Sequence, residues 1–143
     1  MEVEAILRAK GSAVHTVPSG ALVVAAVEAM YRFQVGALVV TDTDDRIAGM
    51  LSERDVVTGL CRHGSDLLGR RVGDVMDRHV STCGLRDSID AVMEQMTRTR
   101  RRHVPVVDDG RLVGIVSIGD IVKQRMEELE TEQRALQDYI TRG

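Results

Sequence analysis

Apolar positions along the chain switch between two periods, and the order of the switches repeats. From Ala21 to Phe33 they recur at helical spacing, and they do so again from Asp87 to Thr97, where Ile89, Val92, Met93 and Met96 form one stripe. Each stripe leads into a short Val-rich run, Ala37–Thr41 and Val104–Val107. A polar turn follows (TDTDD, then DDG), and after it a second apolar run, Ile47–Leu51 and Leu112–Val116. Two such runs about a turn predict a β-hairpin. Ser52 and Ser117 each open a further helix. Past Asp120 the helical pattern continues to about Thr141, with Val122, Met126, Leu129, Leu136 and Ile140 on one stripe and Gln133 at its missing seam position. Glu130/Arg134 and Asp138/Arg142 stand four apart and support that helix. About 20 residues at ~1.5 Å each make roughly 30 Å, long for an appendage on so small a body. The stripe either covers its own domain or forms a seam shared with another chain, and its length favours the seam.

The repetition is literal. An offset of 66 lays Val14–Asp42 over Val80–Asp108, and one of 65 lays residues 46–57 over 111–122 because the second turn is shorter. Identities include Thr16/Thr82, Met30/Met96, Asp42/Asp108, Gly49/Gly114, Ser52/Ser117 and Asp55/Asp120. The lead-ins match too: Val3-x-x-Ile6-Leu7 resembles Val72-x-x-Val75-Met76. A duplication of this kind predicts an α+β fold. Its two pseudo-symmetric β-α-β-β-α motifs each leave one sheet face bare and pack sheet to sheet, with a long helix at the C-terminus. The expected divisions are residues 1–65 (first motif with its lead-in), 66–79 (linker and second lead-in), 80–124 (second motif) and 125–143 (C-terminal helix).

Composition excludes several function classes. Hydrophobic residues make up 43% of the 143 and charged ones 29%, an ordinary globular balance. The longest apolar run, Ala21–Val27, is too short for a bilayer, and the N-terminal MEVEAILRAK lacks the form of a signal peptide. Tyr31, Phe33 and Tyr139 are the only aromatics and the net charge is −3, so neither stacking platforms nor an overall basic field exists for nucleic acid. A cytoplasmic protein with reduced Cys61 and Cys83 is expected. Cys61-Arg62-His63 has no structural-zinc spacing around it, so no metal is expected.

The chemistry concentrates at the two S-x-x-D sequences. In Gly114-Ile-Val-Ser117-Ile-Gly-Asp120 a strand ends in a Ser that opens a helix, whose first-turn amides make an anion site by geometry. Asp120, three residues on, can accept hydrogen bonds from two vicinal hydroxyls. The same pattern is also a capping box, which needs no ligand. Gly49 and Gly114 then leave space on the strand for a ligand or a facing motif. Upstream, Arg98-Thr-Arg-Arg-Arg102-His103 runs into the second hairpin. Arg98 and Arg100 read as a solvated face; Arg102 and His103 stand at the end of the run, at the helix-to-strand junction.

The pattern T-V-P-x-x-x-L, a Met-ended helix, V-V-x-D and then G-x-x-S-x-x-D, whose Met-ended helix and G-x-x-S-x-x-D recur in the second copy, resembles the CBS domain pair, or Bateman module. The resemblance extends over about residues 1–125, with Gly84 standing where the first copy has Pro18. It implies a regulatory module binding AMP, ADP or ATP, alternatively NAD(H) or S-adenosylmethionine, in clefts between the motifs. It also implies flat homodimers that signal to a regulated protein. Carried over residue by residue, the principal cleft comprises Thr16, Ala21, Val35, Gly36 and Ala37 with Arg102, His103, Ser117 and Asp120. The second, weaker cleft has Thr82, Asp87 and Arg101 with Ser52, Arg54 and Asp55, where Arg54 stands in for missing cations. A structural dimerisation or adaptor module with vestigial clefts is the competing reading. Catalysis is not expected: G-x-x-S-x-G is one residue too long for a nucleophile elbow, and no phosphate-binding loop or H-E-x-x-H is present.

Overall fold

A computed structural model describes residues 1–142. The chain runs α1 (Val3–Lys10), β1 (Thr16–Pro18), α2 (Val23–Phe33), β2 (Ala37–Thr41), β3 (Ile47–Ser52), α3 (Glu53–His63), α4 (Val72–Val75), α5 (Ile89–Thr99), β4 (His103–Asp108), β5 (Arg111–Ser117) and α6 (Ile118–Arg142). Both expected hairpins form, antiparallel and each with a register shift at matching places, Val40/Thr41 and Val106/Val107. The turns differ as their lengths require. Asp109 and Gly110 both take positive φ, as a two-residue hairpin demands, whereas Thr43–Asp45 make a short 3₁₀ turn. Strand β1 adds parallel to β2. Its counterpart shrinks to Cys83, whose N–H donates to the Pro105 carbonyl at 3.0 Å and whose carbonyl accepts from Val107 at 2.8 Å.

The sheets face each other through Ala37, Val39, Met50 and Ile47 on one side and Leu112 and Ile115 on the other. Behind each sheet lies its own core. Val17, Val23, Ala26, Met30, Leu38, Val40 and Leu51 fill the first, and Cys83, Ile89, Val92, Met96, Val104, Val106, Val116 and Ile121 the second.

The lead-ins depart from the expected divisions. Helix α1, grouped by sequence with residues 1–65, buries Val3, Ile6 and Leu7 in the second core, while Val72 of α4 lies in the first. The exchange is reciprocal in detail. Val3 N–H donates to the Asp87 carbonyl at 2.9 Å, and Val72 N–H donates to the Ala21 carbonyl at 2.8 Å. Gly114 and Gly49 make room for it. A Cβ on Gly114 would lie 2.7 Å from Leu7 Cδ1, and one on Gly49 would lie 2.6 Å from the Asp77 carbonyl oxygen. The two glycines therefore admit lead-in segments, not a ligand. Residues 66–79 are no free linker either, because Leu67 is fully buried in the first core.

Helix α6 is continuous through the expected boundary at 125, with Gly143 outside the described residues. Ile121 is its buried residue, and Val122, Met126, Leu129, Leu136 and Ile140 stand 51–75% exposed. The stripe does not cover its own body.

Candidate functional site

Strand β5 delivers Ser117 to the mouth between the motifs, where α6 begins. Ser117 N–H donates to Asp120 Oδ2 at 2.8 Å and Asp120 N–H donates to Ser117 Oγ at 3.1 Å, a reciprocal cap. The Lys10 ammonium, at the end of α1, donates to that same Oδ2 at 2.7 Å and to the Ile115 carbonyl at 2.9 Å. Burial alone would raise the Asp120 pKa; the Lys10 ammonium and the Ser117 amide outweigh it and hold the carboxyl below its ordinary value. Among the described residues no protein donor reaches Oδ1.

His103 pairs with Ser117 across the β4–β5 ladder. Burial pushes its pKa down; Asp120 and Glu53 pull it up, while Lys10 and Arg102 push it further down, and the sum lies below the ordinary histidine value. Near neutral pH the ring is therefore uncharged and acts as a neutral donor or acceptor.

Two of the first-turn amides of α6 are already engaged, which narrows the anion site expected from sequence. Ile118 N–H donates to the Arg102 carbonyl at 2.8 Å, and Asp120 N–H is held by the cap. Helix α3 repeats this, Glu53 N–H donating to the Gly36 carbonyl at 3.0 Å and Asp55 N–H to Ser52 Oγ at 3.2 Å.

The first motif brings part of its expected share. Gly36 faces the Glu53 carboxylate, whose charge reaches His103, and Ala37 is buried in the contact between the sheets. Thr16 is exposed on β1, opposite Val39. Ala21 and Val35 lean on the first core, with the Ala21 carbonyl engaged by Val72.

The second cleft is wired differently. Asp55 Oδ2 accepts from Ser52 N–H at 2.9 Å and from Ser52 Oγ at 3.0 Å, with no cation on it among the described residues. Arg101 is spent on an ion pair with Asp77. Burial would raise Asp77; the His79 amide and the Arg101 guanidinium more than offset this and depress it. Asp87 accepts from Gly84 N–H at 2.8 Å, so it closes its own turn. The Thr82 carbonyl accepts from Gln95 at 3.2 Å, and Arg54 is exposed on α3 without an ion-pair partner among the described residues. Two recesses lie outside both clefts, one along α6 by Val122 and Met126, the other between Ser19, Asp42, Arg71 and Arg78.

Sequence reasoning missed Lys10, Glu53 and Asp77. Lys10 and Asp77 lie in or beside the lead-ins, outside the aligned repeat. The available signal was that Lys10 is one of only two lysines in the chain.

The CBS domain family model matches residues 10–61 and 72–127. The chain belongs to the CBS domain family. It carries the CBS domain as a pair, and solved relatives share the whole arrangement. The CBS-domain containing protein ATU1752 of Agrobacterium tumefaciens is 40% identical and superposes with a TM-score of 0.84 over 87% of this chain and 92% of that one. The mitochondrial CBS domain-containing protein CBSX3 of Arabidopsis thaliana is 34% identical over 122 residues, 82% of this chain, which spans 59% of that relative's length. The CBS domain pair of protein MJ0100, in complex with 5′-methylthioadenosine and S-adenosyl-L-methionine, has a TM-score of 0.80 over 90% of this chain and 98% of that one. Its 24% identity shows the fold alone. Among the described residues no helix of this CBS pair is long and apolar enough to cross a membrane.

Proposed function

We propose that this CBS pair is a non-catalytic regulatory module that binds an adenosine nucleotide, AMP, ADP or ATP, in the cleft opened by Ser117 and Asp120. One observation carries the reading: where the strand ends, a carboxylate bonded to Lys10 keeps one oxygen without a protein donor among the described residues, and its charge and that of Arg102 both reach His103. Asp120 Oδ1 accepts the ribose hydroxyls, and the three basic side chains take the phosphates. Charge-assisted bonds such as those from Lys10 and Arg102 are about twice as strong as the neutral one that His103 contributes. The second cleft, with Arg101 committed to Asp77 and no cation on Asp55, is the weaker of the two. NAD(H) and S-adenosylmethionine remain the alternative adenosine ligands. The module acts as a homodimer, supported by the uncovered stripe on α6, and passes its state to a regulated protein in the cytoplasm.

A second reading is favoured by the internal satisfaction of Asp120: an adaptor whose clefts are filled by its own Lys10. A thermal-shift panel of AMP, ATP, NAD⁺, NADH and S-adenosylmethionine separates the two. A ligand at 100 times its Kd stabilises the fold by ~2.7 kcal/mol. The nucleotide reading expects such a shift with AMP or ATP, weakened by Asp120→Asn and by Arg102→Ala but spared by Asp55→Asn. Absence of any shift leaves the adaptor.

A further inference from the structure

The two S-x-x-D boxes are repeat equivalents, yet only Asp120 carries a cation from a lead-in. The cause lies in how the lead-ins end. Helix α4 stops after four residues because Asp77 leaves it to pair with Met50, N–H to carbonyl in both directions at 2.8 and 2.9 Å. Helix α1 instead continues for eight residues. In the repeat Ile115 is the counterpart of Met50, and its carbonyl accepts not from a lead-in amide but from the Lys10 ammonium. The residue matching Lys10 in the second lead-in is His79, 97% exposed and beside Asp77.

We propose that Lys10 sets the charge class of the ligand: bridging Asp120 and the Ile115 carbonyl, it makes the cleft select phosphate-bearing nucleotides over neutral or cationic adenosine compounds. The inference rests on the cleft binding an adenosine ligand. An ammonium has three donors, and two are engaged here, so the third is available to an incoming anion. The charges facing the site are Lys10 and Arg102 against Asp120 and Glu53, with His103 neutral. This set is balanced with Lys10 and negative without it. A phosphate gains the ammonium as a partner. Adenosine, whose ribose hydroxyls must share Asp120 with Nζ, gains nothing in return. The sulfonium of S-adenosylmethionine meets a like charge. Without Lys10 the balance tips to the carboxylates, and the order of preference changes.

The test is calorimetry of AMP, adenosine and S-adenosylmethionine against wild type, Lys10→Met and Lys10→Arg. Wild type should bind AMP at least about tenfold more tightly than adenosine, and Lys10→Met should reduce that ratio about tenfold while S-adenosylmethionine gains. Lys10→Arg should keep the wild-type ranking. A Lys10 that merely anchors α1 would weaken all three ligands alike and leave the ratio unchanged, which overturns the inference while sparing the nucleotide reading. Wild type that binds none of the three, nor ATP, overturns both.

Discussion

The reciprocal docking of the lead-ins carries Lys10 to the cleft, and it can be broken at one atom. At Gly49 an added Cβ would sit 2.6 Å from the Asp77 carbonyl oxygen and 2.7 Å from Met76 Sδ. The oxygen belongs to backbone that exchanges two hydrogen bonds with Met50, so relief requires giving up the one that this oxygen accepts, worth ~0.5–1.5 kcal/mol. Overpacking alone costs about 1–3 kcal/mol, and the stiffer unfolded chain of an alanine variant returns about 0.4–1 kcal/mol. The net for Gly49→Ala is a loss of roughly 2–3 kcal/mol. At Gly114 the obstruction is the far end of Leu7, with Cδ1 at 2.7 Å and Cδ2 at 2.8 Å. A side-chain terminus can rotate away, and the expected loss is only about 1–2 kcal/mol. At roughly 3 °C per kcal/mol for a chain of this size, melting should fall by about 6–9 °C and 3–6 °C respectively. Adding Leu7→Ala to Gly114→Ala should cost less than the sum of the two, by about 0.5–3 kcal/mol, since the second change removes the clash made by the first. Urea denaturation of the four proteins reads all of this. Strict additivity, or a Gly114→Ala protein less stable than Gly49→Ala, would refute the docking argument.

Truncation after Lys123 removes Met126, Leu129, Leu136 and Ile140 and should weaken the proposed dimer while both cores stay folded; light scattering that still finds an intact dimer at micromolar concentration places the interface elsewhere. Asp120 and Asp77 are depressed in the folded state, so their stabilisation is present above the ordinary carboxylate pKa and is lost as pH falls through their folded values. Lys10→Met should shrink the drop in urea midpoint between pH 7 and pH 3; an unchanged drop assigns the acid sensitivity to other groups. His103 should titrate below ~6.5 by NMR, and a midpoint above that value would mean its carboxylate neighbours outweigh burial. With the Cys83 thiol buried and pushed up to about 12, a thiol reagent at pH 8 should label Cys61 quickly and Cys83 only after unfolding; rapid labelling of both would mean the second core opens readily.

Periodicity and the repeat were enough to place α2, α5 and α6, both hairpins and the helix starts at Ser52 and Ser117, because each follows from neighbours a few residues apart; the helices of the lead-ins were not foreseen. The caps were legible for the same reason: S-x-x-D closes within one turn, whatever lies beyond it. Which motif a lead-in joins was not legible. Val3, Ile6 and Leu7 present nearly the same apolar stripe as Val72, Val75 and Met76, and burial energy has no direction that would distinguish the two cores. The choice is made by chain geometry. The segment between α3 and α5, with Leu67 and Val72, occupies the seat on the first motif, and α1 takes the remaining one. The electrostatics of the clefts follow from that choice. Arg101 looked free for a ligand but meets Asp77, and the α6 amides looked open but meet the Arg102 carbonyl and the Ser117 cap. Lys10 lies 110 residues from Asp120 along the chain. Local sequence determines each motif and its caps; long-range packing alone decides which charges meet, since contacts of that separation leave no period to read.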